Sequence, residues 1–100
     1  MKRLIYIQID QPLVIINPVL HDLSEETFEL WDDCMSFPHI LVLLKRHKSL
    51  KMSYKDEHWN DQEILASDAL SELIQHEYDH LNGVLCTMRA IQVKPSDYVQ

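Results

Sequence analysis

His76, Glu77 and His80 are the residues of this chain whose types and spacing could do chemistry. On a helix, positions 76 and 80 lie one turn apart on one face. Two imidazole nitrogens so placed can converge on a single metal ion. Glu77 lies beside them, where a carboxylate can take a proton from a water held by that ion. The same pattern also arises on any amphipathic helix. In that case the histidines rest on the polar shoulder of the helix and Glu77 pairs with a lysine or arginine. Spacing alone leaves both readings open.

The surrounding residues predict the helix. Leu70, Leu73, Ile74 and Leu81 recur as an apolar stripe with helical period. Glu77 falls inside that stripe, and a carboxylate aimed at a core is costly unless it is paired or protonated. A nearby metal is a reason to tolerate it. Ser67 reads as the N-cap, with Asp68 and Glu72 near the positive helix end. The helix is expected to run to about Asn82. The only glycine, Gly83, follows where a left-handed cap is wanted.

Upstream, residues 3–10 read as a strand with Ile5, Ile7 and Ile9 on one face. Asp10-Gln11-Pro12 signals a turn, and residues 13–16 read as the returning strand of a hairpin, stopped near Asn17-Pro18 because proline cannot donate to a ladder. Residues 24–30 could open a helix at Ser24 or alternate as a strand through Phe28 and Leu30. Residues 32–38 read as a loop. Residues 40–44 form a continuous apolar run, a strand buried on both faces or one whose outer face meets a partner. Residues 49–55 alternate as a strand, 56–60 turn, and 61–66 return as a short strand. Residues 84–91 are apolar enough to pack back on the sheet, and 95–100 read as a loose tail. Strands followed by one long helix predict an α+β fold in one small domain, 1–100. A small, mainly antiparallel sheet would cover the apolar stripe of the helix.

A stable site needs a third protein ligand. Proteases with His-Glu-x-x-His usually find theirs in a downstream Glu or His, and neither follows His80. Asp97 lies in the predicted tail. Cys34, Cys86, His21, His39, His47 and His58 remain. Cys86 sits in the apolar Val84-Leu85-Cys86 and reads as core. The four histidines lie among polar or turn residues and read as surface.

The string Gln75-His76-Glu77-Tyr78-Asp79-His80-Leu81-Asn82-Gly83 resembles the third signature of peptide deformylases, Gln-His-Glu-x-Asp-His-Leu-x-Gly, with every fixed position present. Asp32-Asp33-Cys34-Met35-Ser36 is similar to their second signature, Glu-Gly-Cys-Leu-Ser, and Phe37-Pro38 follows it. The Gly-rich first signature, Gly-Leu-Ala-Ala-x-Gln, is absent. The chain looks like a deformylase that begins after roughly its first third, the resemblance running from about Leu4 to Arg89.

The resemblance implies a strand at 24–30, with Cys34, His76 and His80 as ligands of one divalent ion. Fe2+ is the family's usual metal, and Zn2+, Ni2+ or Co2+ are accepted. Two histidines and a thiolate leave a position open for water. The implied reaction is hydrolysis of the formamide on the N-terminal formyl-methionine of a nascent peptide, with Glu77 as general base and the Met35 backbone N–H as an oxyanion donor. Two departures bear on it. Asp33 stands where the family has glycine, adding a side chain and a charge beside the metal. Asp32 is one methylene shorter than the family's glutamate. With the first-signature glutamine also missing, two kinds of function compete: a weak or partner-completed hydrolase, and a non-catalytic relative that binds metal or a protein partner. A structural domain without metal is a third.

Composition narrows the partners. Nine Lys and Arg against sixteen Asp and Glu give a net charge of −7, unsuited to non-specific nucleic-acid binding. No run of apolar residues is long enough to span a membrane, and the apolar start ends at Gln8 and Asp10, too soon for a signal peptide. Two cysteines make no disulfide framework and read as reduced cytoplasmic thiols. The apolar strands at 4–9, 13–16 and 40–44 predict either a homodimer or a partner that supplies the absent segment.

Overall fold

The computed structural model describes residues 3–8, 12–33, 40–84 and 86–95. The first hairpin pairs β1 (Leu4–Gln8) antiparallel with β2 (Pro12–His21), from Leu4 opposite Ile16 to Gln8 opposite Pro12. Its alternation is the physical cause: Ile5, Ile7 and Ile15 are buried, while Leu4 and Tyr6 face outward. The turn between the strands lies outside the described residues. The second strand does not stop at Ile16 as the proline predicts. It runs on to His21 through a register shift between Ile16 and Val19. Asn17 enters the left-handed region, φ 53°, so Pro18 sits in an irregularity of the ladder, one of the places where a strand tolerates proline. The Asn17 backbone N–H donates to the Arg3 carbonyl at 2.7 Å, and the Arg3 N–H donates to Asn17 Oδ1 at 2.9 Å.

β5 (Ser49–Lys55) pairs with β2 on one side and with β6 (Asp61–Ser67) on the other, giving a four-stranded sheet in the order β1-β2-β5-β6. Leu50, Met52 and Tyr54 alternate inward, as expected. The 56–60 turn is organised by Asp56, whose Oδ1 accepts from the N–H groups of His58 and Asn60, both at 2.9 Å.

The expectation of one sheet is corrected: a second, three-stranded sheet has the order β3-β4-β7. β3 (Thr27–Asp33) lies antiparallel to β4 (Ile40–His47), which pairs on its other side with β7 (Gln92–Pro95). Residues 24–30 are therefore largely strand, and the Ser24 hydroxyl donates to the Glu26 carbonyl instead of capping a helix. Asp32 and Asp33 belong to β3 and not to the predicted loop, whose remaining residues lie outside the described set. Pro95 belongs to β7 and not to a tail, because β4 offers that segment a free ladder edge. Within β4, Val42, Leu44 and Arg46 are buried on one face, while Leu41 and Leu43 are half-buried on the other.

α1 (Asp68–Leu81) touches both sheets. Ile74 is buried in the core of Ile5, Ile7, Ile15, Leu50, Met52, Tyr54 and Ala66, and Leu70, Leu73 and Leu81 pack on it, so the predicted stripe is real. Ser67 stands at the N-cap position, but its side chain makes no capping bond. The start is tied down by the Asp68 N–H, which donates to the Lys48 carbonyl at 2.8 Å. The end is a Schellman arrangement: Gly83 has φ 70°, its N–H donates to the His80 carbonyl, and the Val84 N–H donates to the Asp79 carbonyl at 2.8 Å. Beyond it, α2 (Cys86–Arg89) is one short turn. Ala90 then packs on the Val42 and Leu44 cluster, and the Ile91 N–H donates to the Leu43 carbonyl, as the predicted return to the sheet requires.

Candidate metal centre

One side of α1 carries the chemistry. His76, Glu77 and His80 each place a ligand atom within 4.8 Å of the others. The two imidazole centroids are 4.3 Å apart, with planes tilted by 58°. His76 and Glu77 are half-buried and His80 is exposed, so the group opens toward solvent. Two imidazoles and a carboxylate converging in this way fit a divalent ion.

β3 supplies the opposite wall. Asp32 Oδ2 lies 3.7 Å from His76 Nδ1, an ion-pair distance and not a hydrogen bond. Glu72, one turn below His76, joins Asp32 and His76 in a second set whose ligand atoms lie within 4.8 Å of one another. Thus His76 belongs to both sets, one shared with Glu77 and His80 and the other with Asp32 and Glu72.

The helix is held in place by polar groups that periodicity alone misassigns to the surface. Ser71, Gln75 and Asp79 are all buried. Gln75 docks on the backbone of His47: its Oε1 accepts from the His47 N–H at 3.0 Å, and its Nε2 donates to the His47 carbonyl at 2.8 Å. The side-chain amide thus acts as one more rung of the β4 ladder. The Ser71 hydroxyl donates to the same carbonyl at 2.8 Å. Arg46, only 3% exposed, donates from Nη1 to Asp79 Oδ2 at 2.8 Å, and Arg89 Nε reaches the same oxygen at 2.7 Å. A signal for Arg46 does exist in the sequence. It continues the alternation of Val42 and Leu44, which puts its stem in core register.

Cys34 and Met35 lie outside the described residues, as does His39; the side chain of Cys86 is also not described. Of the remaining histidines, His58 is exposed, as expected. His47 is not on the surface: it is half-buried, and its Nδ1 donates to the Ser24 carbonyl at 2.8 Å. His21 meets the Ser53 hydroxyl at 2.8 Å. Both lie on other partners, away from the His76 and His80 pair.

Antiparallel sheets that hold a His-Glu-x-x-His helix against the end of a strand define an α+β class whose helix has the residues to hold a metal. Comparison with known proteins narrows that class. The profile of the family described as Polypeptide deformylase matches residues 2–96. The chain belongs to the polypeptide deformylase family. It is 42% identical over 77 residues to a peptide deformylase of Salinibacter ruber, covering 77% of this chain and 40% of that protein. The crystal structure of a peptide deformylase from Synechococcus elongatus in complex with actinonin superposes with a TM-score of 0.80 at 36% identity, over 90% of this chain and 50% of that one. The Thermotoga maritima enzyme gives a TM-score of 0.80 at 32% identity, over 90% of this chain and 62% of that one. The chain therefore spans 40% to 62% of the length of these relatives. Among the described residues, no helix is long and apolar enough to cross a membrane.

Proposed function

We propose that this chain carries the metal-binding and proton-transfer residues of a peptide deformylase site and acts in the cytoplasm on the N-terminal formyl-methionine of nascent peptides. Cys34, His76 and His80 would hold one divalent metal, Fe2+ in the cell, with Zn2+, Ni2+ or Co2+ as substitutes. When bound, the metal supplies Lewis acidity, activating water and polarising the formyl carbonyl. Glu77 accepts the proton of the attacking water on a carboxylate oxygen. It returns that proton to the amine nitrogen as the C–N bond breaks, leaving formate and a free N-terminus. The Met35 N–H would donate to the developing oxyanion.

The observation that carries this reading is the convergence of His76, Glu77 and His80 on one helix face, with β3 reaching His76 through Asp32, two residues before Cys34. The chain contains no Gly-Leu-Ala-Ala-x-Gln segment, and losing one oxyanion donor costs about 10²–10³ in rate. Residues 1–100 by themselves are therefore expected to turn over slowly, and faster once a segment carrying that donor is supplied. The competing reading is a non-catalytic relative that binds metal or a protein partner.

Anaerobic purification, metal analysis and a formyl-Met-peptide assay separate the two. The chain should hold one metal, lose it in a His76→Ala, His80→Ala double variant, and lose about 10²-fold or more of its turnover in Glu77→Gln. Turnover unchanged in Glu77→Gln would reject that residue as the base. A metal-loaded chain without turnover would favour the non-catalytic relative.

A further inference from the structure

Glu72, His76 and His80 form a ladder at four-residue intervals on α1. Helical side chains lean toward the N-terminus, so the His76 ring settles over Glu72. Asp32 approaches the same ring from β3, on the Nδ1 side. The ring thus has the carboxylates of Asp32 and Glu72 within 4.8 Å. All three side chains are largely shielded, with exposures of 31% for Asp32, 21% for Glu72 and 24% for His76. Arg46 lies behind them: its Nε is 3.9 Å from Glu72 Oε1 and has no hydrogen-bond partner among the described residues.

We propose that Glu72 is a positioning residue for the metal centre. Together with Asp32 it flanks the His76 ring and fixes its orientation toward the metal, while Arg46 balances the Glu72 carboxylate. A metal-bound imidazole needs its second nitrogen engaged by an acceptor, which fixes both tautomer and orientation. Asp32 alone stands beyond hydrogen-bond distance at 3.7 Å. Glu72 adds a second carboxylate, with an oxygen within 4.8 Å of a ring nitrogen, from the helix that carries His76 itself. Asp32, Glu72 and His76 could be taken for a separate cation site, but Arg46 stands beside Glu72 and opposes a second positive charge there. The inference rests on the metal-site reading above.

Zn2+ affinity of the full chain, measured by chelator competition, is the test, with Co2+ absorption as the readout of ligand geometry. Affinity should fall about 10–100-fold in Glu72→Ala, the usual scale for such outer contacts. It should fall less in Glu72→Gln, which keeps the side chain's length and an accepting oxygen beside the ring. The Co2+ spectrum should broaden in Glu72→Ala while the far-UV dichroism of the metal-free chain is retained. If Glu72→Ala does not fold, Glu72→Gln and Glu72→Asp carry the comparison, each expected to weaken Zn2+ binding several-fold. A residue that only pairs with Arg46 would, when replaced, lower the thermal stability of the metal-free chain and leave Zn2+ affinity unchanged; that result would overturn the proposal. So would binding of two Zn2+ with one lost in Glu72→Ala, since Glu72 would then belong to its own cation site. A wild-type chain that binds no Zn2+ would overturn the metal-site reading and this inference with it, whereas binding indifferent to Glu72 would overturn this inference alone.

Discussion

Asp79 shows how one side chain ties the metal helix to the second sheet. Its Oδ2 receives both Arg46 and Arg89, while its backbone carbonyl receives the Val84 N–H that closes the helix. Arg46 is almost wholly inside, so removing its partner strands a charge in a low-dielectric place. Asp79→Ala should cost about 3–5 kcal/mol in urea unfolding. Adding Arg46→Met should recover much of that, because the buried charge is then gone as well. Equal stability of the single variant and the wild type would show that Arg46 finds water or another acceptor.

At the scale of elements, α1 stays in register because its polar face is satisfied by β4 and its apolar face by the four-stranded sheet. Gln75 is the joint between α1 and β4. Gln75→Leu keeps the volume but leaves the His47 N–H without an acceptor in a half-buried place. We expect a loss of about 1–3 kcal/mol, read as a shifted denaturant midpoint with unchanged slope. A shift below 0.5 kcal/mol on that measurement would mean that water replaces the amide. The β5–β6 turn offers a pH test. The Asn60 N–H first, then the Gln62 side-chain amide, hold the Asp56 carboxyl below its ordinary value. A carboxyl depressed in the folded state stabilises above its unfolded value, and that contribution is lost as pH falls through the folded one. Asp56→Asn keeps an accepting oxygen but removes the charge. The wild type should therefore be the more stable of the two near neutrality, and the difference should vanish in acid. A difference independent of pH would assign the effect to turn geometry.

At the scale of the molecule, the chain is elongated, 47 × 27 × 27 Å, with a radius of gyration of 14.7 Å against about 13 Å for a compact chain of this length. Among the described residues, the buried apolar side chains fall into two separate clusters. The outer face of β1 and β2 exposes Leu4, Tyr6 and Val19, each more than half open, beside half-buried Val14 and Ile16. β1 is also an edge strand of its sheet. Unpaired edges and apolar faces of this kind recruit another chain. The apolar run at 40–44 is a weaker candidate, since β4 is flanked by strands on both sides and its outer leucines are half-covered. We expect association through the β1 and β2 face, as a two-fold dimer or with a partner chain. Light scattering across a concentration series should show mass rising above 11.8 kDa, and Tyr6→Lys should suppress it. A monodisperse monomer at high micromolar concentration with no binding of a surface dye would refute association between copies.

Local rules made much of this chain legible from its sequence. Period-two alternation located β1 and β5, the polar turn at 56–60 pointed to the return strand β6, and the helical period located α1 with its buried Ile74. The single glycine marked the helix end because the residue after the C-cap there takes a left-handed backbone, φ 70°. The spacing of His76, Glu77 and His80 specified a convergent group because a helix repeats every 3.6 residues. What could not be read was set by contacts distant in sequence. Pro18 stays within a strand because the ladder shifts register beside Arg3, fifteen residues earlier. Pro95 joins a strand because β4 has an edge to offer. Ser71, Gln75 and Asp79 are buried because β4 presents the His47 backbone and Arg46 to them. Asp32 meets His76 because two sheets, and not one, embrace the helix. Polar burial depends on which partner arrives, and the partners here lie 24 to 44 positions apart along the chain. Only the folded chain brings them together.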